Sequence, residues 1–151
     1  MKALTKGLMT IALLAATTAC DGSPTTASAF VSENDGIAMA RQSRLTFNST
    51  QSHTTGNEQT ASGGAGAIEF TGTVTTGTPC YDVSATHQEG AGSVTVTVTA
   101  TSTGQICTQV ITFNNYNGRV SRLSAGTYDF TVIHNVNGSS STAFTGTVTV
   151  R

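Results

Sequence analysis

Three histidines and three cysteines hold most of the reactive side chains of this 151-residue chain. His87 lies two residues before Glu89, and His134 lies in a second segment with the alternation of a strand. A His/Glu/His set is the donor chemistry of a zinc site, so a metal-dependent hydrolase working at one rim of the fold is the enzymatic alternative. The spacing argues against it, because neither His-x-His nor His-x-x-x-His occurs and loop histidines usually stay solvated. No metal or other cofactor is therefore assigned to His87, Glu89 and His134. His53 stands alone in a polar, Gly-rich stretch. There is no Gly-x-Ser-x-Gly or Ser-x-x-Lys to supply a nucleophile. Gly63-Gly64-Ala65-Gly66 lacks the Lys-Ser/Thr that makes a phosphate loop. The acids are too scattered for a calcium loop, and Asp82 and Asp129 fall at outward strand positions. The chain is expected to be non-enzymatic.

The cysteines carry more information. Met1 to Lys6 holds both lysines and no acid, Leu8 to Ala16 is apolar apart from Thr10, and Thr17-Thr18-Ala19 leads to Cys20. A basic start, a short apolar core and small residues at the end are the layout of a secretory signal peptide over residues 1–19. The apolar core falls short of the ~20 residues that a spanning helix needs. Thr18-Ala19-Cys20 resembles the lipobox of bacterial lipoproteins, although Thr17 stands where that family usually has an aliphatic residue. The resemblance implies a diacylglyceryl anchor on Cys20, cleavage before it, and a cell-envelope location. Asp21 resembles an inner-membrane retention signal whose meaning varies with lineage, so the inner and outer membranes both stay open. The alternative is ordinary cleavage nearby, leaving Cys20 as a free or intermolecular thiol. An exported chain with two further cysteines, Cys80 and Cys107, reads as one disulfide.

Composition removes other classes. Charged residues make up 10 % of the chain, against a usual ~25 %. The net charge is -1, and after residue 19 five arginines face eight acids, a net of -3. Nothing there suggests nucleic acid as a partner. Tryptophan is absent and tyrosines number three, which disfavours a sugar-stacking lectin. The Thr95, Thr97, Thr99 and Thr101 row invites an ice-binding reading, but one row of threonines reads more simply as β-propensity on a wet face. Arg119 and Arg122, near a turn, read as solvating charges. The partners expected are the membrane through the lipid anchor and an envelope protein or polymer.

Around these residues the elements are strands. Residues 20–35 are Ser/Thr/Ala-rich and read as a flexible tether, and 36–151 as the domain, clearest from Ala67 to Arg151. Residues 36–50 are ambiguous between helix and strand, and 51–67 read as a mobile loop. "SVTVTVTAT" puts Val94, Val96, Val98 and Ala100 on one face, and "AIEFTGTVT" does the same with Ile68, Phe70 and Val74. "YDVSATH" aligns Tyr81, Val83 and Ala85, and "CTQVITF" aligns Cys107, Ile111 and Phe113. Asn117-Gly118 and Asn137-Gly138 are hairpin signals. About seven strands at this spacing predict an all-β, antiparallel β-sandwich with one disulfide. Cys80 and Cys107 are each placed at the opening of a strand, in strands that face across the sandwich, neighbour each other or converge at its rim. Leu123-Ser124-Ala125-Gly126-Thr127-Tyr128 resembles the tyrosine corner of immunoglobulin-like and fibronectin type III-like sandwiches. That likeness implies a structural role for Leu123, Gly126 and Tyr128, with the hydroxyl bonding back to upstream backbone. The anchor reading has a direct check: Cys20→Ser is expected to abolish metabolic lipid labelling, and a variant that still partitions with membranes would sink it.

Overall fold

A computed structural model describes residues 42–151, and in them the alternation produces eight strands. These are β1 (Arg44–Ser52), β2 (Thr60–Gly64), β3 (Ala67–Thr76), β4 (Tyr81–Gly90), β5 (Ser93–Ser102), β6 (Thr112–Ser121), β7 (Gly126–Val136) and β8 (Ser139–Val150). They form two four-stranded sheets, ordered β1-β6-β3-β2 and β4-β5-β7-β8. The expected signal peptide and tether, with Cys20, lie outside the described residues.

The core follows from period 2. Val94, Val96, Val98 and Ala100 of β5 are fully buried, while the threonines between them face out. Each buried valine of this kind is worth roughly 1.5–3 kcal/mol. Phe70 and Phe130 meet between the sheets at 5.6 Å, and Tyr116 continues the aromatic line to Phe70 and Phe47. Asn114 is buried too, its amide donating to Val74 O and Thr76 Oγ1.

The turns divide the molecule into two poles. One pole gathers the start of β1, the β2–β3 and β4–β5 turns, the β6–β7 corner and the end of β8. Residues 1–41 join the domain here. The other pole holds the β3–β4 crossing, the β5–β6 crossing and the Asn137-Gly138 hairpin, where φ is 49° and 89° as a type I′ turn requires. Cys80 sits on the first crossing and Cys107 on the second, Cα atoms 6.3 Å apart, and the disulfide ties them. Convergence at the rim, one of the three arrangements expected, is the one realised. Closing the loop between them restricts the unfolded chain by up to ~3.6 kcal/mol.

The expected all-β, disulfide-tied sandwich forms, with eight strands and with one pair, β5 and β7, running parallel. Several finer expectations are corrected. The sequence 51–67, read as a mobile loop, contains β2. Its Gly and Ser residues suit an edge strand whose backbone nears β8, and a side chain at Gly63 would overlap the Thr149 carbonyl. The ambiguous 36–50 stretch is strand from Arg44 onward. Cys107 does not open a strand, because 103–111 is the inter-sheet crossing. Ile111 and Phe113 do not point inward. Thr112, Asn114, Tyr116 and Val120 do, and the last two, being large and apolar, set the register of the whole strand. Asn117-Gly118 is no hairpin either but lies inside β6, opposite Phe47 and Phe70.

Gly118 is there because the Phe70 ring lies where a side chain would be. Gly118→Ala is therefore expected to destabilise the fold by about 1–3 kcal/mol, read from urea unfolding midpoints. The ordinary gain from replacing a strand glycine with alanine, about 0.5–1 kcal/mol, runs the other way, so the sign alone decides.

Candidate functional site

The residues singled out from sequence fall into three separate places. His87 and Glu89 lie on β4 at the pole where residues 1–41 enter. His87 points between the sheets, Nε2 2.9 Å from the Ser43 hydroxyl. Both line a concavity of about 1250 Å³ between the β4–β5 turn and the β6–β7 corner, together with Ser43, Arg119, Arg122 and Ser124. His134 is elsewhere. It stands on β7, two strands from His87 and one side-chain row further along, on the order of 12 Å between backbones. It lies near the end of β7, as expected, but not at the rim that holds His87 and Glu89. No three His, Cys, Asp or Glu side chains come together as a metal group among the described residues.

What His134 does is structural. Its Nε2 lies 2.9 Å from the Tyr116 hydroxyl, which is 2.7 Å from Gln59 Oε1. Gln59 Nε2 donates to Thr73 O, which fixes the amide with Oε1 toward the tyrosine. The phenol proton then goes to Gln59, and His134 must donate to the phenol oxygen through Nε2–H. The imidazole carries a proton on Nε2 in this arrangement. Gly72 makes the meeting possible, since a side chain there would overlap both Gln59 and the Tyr116 hydroxyl. Burial pushes Tyr116 up to about 12, with the Gln59 bond pulling modestly the other way. Burial also lowers His134 from its ordinary value. Sequence reasoning missed this relay because Gln59 fell in the supposed loop. The signal was present in Gly72, a glycine interrupting an otherwise regular strand, which marks close approach.

The β6–β7 corner frames the concavity. Tyr128 Oη donates to Ser124 O at 3.0 Å, the upstream backbone bond of a tyrosine corner. Leu123 is buried beneath it, and Gly126 opens β7. Leu123 N donates to Gly66 O, and Gly66 N to Arg151 O, so the corner is stitched to the β2–β3 turn and the end of β8. Arg122 between them has φ of 66°. A left-handed backbone costs a residue other than Gly, Asn or Asp about 1 kcal/mol or more. Arg119 pairs with Glu69 on the neighbouring strand.

At the opposite pole the β5–β6 crossing carries no charged residue between Thr103 and Ile111. Ile106 is fully exposed, and Ile111 and Val110 are exposed at 62 % and 37 %. The disulfide holds this apolar loop at its middle.

Strand order, bridge and stitched corner thus define a disulfide-tied, all-β sandwich domain. The family model of the ORF11 beta-sandwich domain matches residues 71–150, from within β3 to the end of β8, and the chain belongs to that family. No curated protein and no solved structure matches it.

The two shifts within the relay set a pH window. Tyr116 in the unfolded chain ionises near 10, while the folded chain keeps the proton to about 12. Its contribution to stability is whole below pH 10 and is lost as pH rises toward 12. The His134 contribution is whole above 6.5 and is lost as pH falls through its lowered value. Unfolding free energy measured against pH is expected to fall at both ends, and Tyr116→Phe is expected to flatten the alkaline limb. An unchanged limb in the variant would contradict the assignment.

Proposed function

We propose that the chain is an exported lipoprotein held to the cell envelope through Cys20, whose sandwich is a non-enzymatic binding module. The observation that carries the binding reading is the apolar crossing. Ile106, Val110 and Ile111 stand in water on one loop that a disulfide clamps, and exposed large apolar side chains that the core does not use are available to a partner. Preorganising such a loop lowers the ordering cost of binding. The crossing lies at the pole opposite the start of β1, where the chain that carries Cys20 joins the domain. An apolar, uncharged contact suits the surface of an envelope protein better than a hydroxyl-covered polymer. An oxidised bridge also suits an exported chain.

The metal-dependent hydrolase reading needs His87, Glu89 and His134 in one cleft. The separation of His134, and its engagement with Tyr116, give that reading no support.

The test is a photo-reactive side chain placed at Ile106 or Ile111 of the full chain in its native cell, with Gln88 on the exposed face of β4 as control. Discrete protein adducts from Ile106 and Ile111 and none from Gln88 are expected. Equal yield at all three positions, or none from the loop, would overturn the binding role assigned to the crossing.

A further inference from the structure

The chain spends glycine freely wherever its backbone turns left-handed. Among the described residues Gly66, Gly92, Gly104 and Gly138 have positive φ, and Asn137, which tolerates it, is a fifth. Arg122 is the exception, with φ of 66°. Its conformation is enforced from both sides, by Leu123 N bonding to Gly66 O and by Tyr128 Oη bonding to Ser124 O. A glycine would satisfy that backbone without strain, so the fold does not need an arginine there. Strain held in place by its surroundings is a reason to ask what the side chain does.

The surroundings answer in terms of charge. Arg44, Arg119, Arg122 and Arg151, all four arginines of the described residues, lie at the pole where residues 1–41 enter. Arg119 is matched by Glu69, whereas Arg122 has no carboxylate within ion-pair reach among the described residues. It lines the concavity of about 1250 Å³ with Ser124 and with the Ser43–His87 pair, whose mutual hydrogen bond leaves one N–H or O–H of the pair free to donate. A guanidinium fork with nearby O–H and N–H donors is the chemistry that recognises phosphate oxygens. Glu89, on the opposite lip, opposes an anion and limits its affinity.

We propose that this concavity binds a phosphate group, with Arg122 as the principal ligand. The group could be carried by a soluble phosphate compound or by a lipid headgroup, and the chemistry of recognition is the same. The site is separate from the apolar crossing and does not depend on it.

The experiment titrates the isotopically labelled full chain with inorganic phosphate at constant ionic strength, following backbone amides by NMR. Saturable shifts centred on Arg122, Leu123 and Ala91 are expected. Arg122→Gly should weaken binding at least tenfold while its thermal midpoint holds or rises, because the strain is relieved. Loss through misfolding would lower the midpoint instead. Glu89→Gln should tighten binding severalfold. Flotation of the full chain carrying Cys20→Ser with phosphatidylglycerol or phosphatidylcholine vesicles separates the sources. Arg122-dependent flotation with the former alone assigns a headgroup, and saturable phosphate binding without flotation assigns a soluble ligand. Absence of saturable shifts, or Arg122→Gly binding phosphate as the parent chain does, overturns the proposal.

Discussion

Tyr116 is the largest side chain fully buried between the sheets, and its hydroxyl must find partners where water does not reach. A buried hydroxyl left alone costs on the order of 1–3 kcal/mol. The chain meets the requirement with one residue from each side, Gln59 before β2 and His134 on β7. Three consequences follow. The segment before β2 must return across the sheet to deliver Gln59, and its backbone does so with Asn57 N donating to Thr73 Oγ1 and Asn115 Oδ1. Gly72 must lack a side chain. The ring itself, fixed by its hydroxyl, packs against Phe47 and Phe70 and against the edge of His134. The relay therefore ties β3, β6 and the segment before β2 to the other sheet at a defined register, which apolar contacts alone would specify less sharply.

The parts of the fold legible in sequence were those whose burial pattern is carried by apolar residues. β5 could be read directly because every second residue is Val or Ala with Thr between, and β3 nearly so. β6 could not. Its inward positions include Thr112 and Asn114, while the more apolar Ile111 and Phe113 lie on the other parity. Alternation gives a period but not a phase, and here the phase was set by Tyr116 and Val120 further along. Glycine had two meanings that sequence does not separate. At Asn137-Gly138 it relieves a left-handed turn; at Gly118 it makes room for the Phe70 ring. β2 was hidden for a third reason, since an edge strand of Thr, Ala, Ser and Gly has no apolar face to announce it.

The candidate sites divide along the same line. Cys80 and Cys107 were legible because setting Cys20 aside leaves one pairing, and Tyr128 because the corner motif is local. His87 and Glu89 were correctly placed near one another, but His134 has the opposite vocation from the one its residue type suggests. It is a half-buried Nε2 donor to Tyr116, and a metal on that nitrogen would dismantle the relay. Arg122 was invisible as anything but a surface charge, because a residue's φ is set by the stitched corner around it and not by its own identity.

The two poles are built by different means, and this bears on how the module can act. The distal pole relies on a covalent tie between inter-sheet crossings, which leaves the apolar side chains of its loop free of any duty to the core. The pole at the start of β1 relies on backbone hydrogen bonds among Gly64, Gly66, Leu123 and Arg151, and these freeze the β6–β7 corner, holding the backbone of Arg122 in place. Both arrangements fix the backbone without drawing on the exposed side chains for stability. Substitutions at Ile106 or Arg122 should then spare the fold, in contrast to Gly118 or Tyr116, where side-chain volume itself sets the packing of the core.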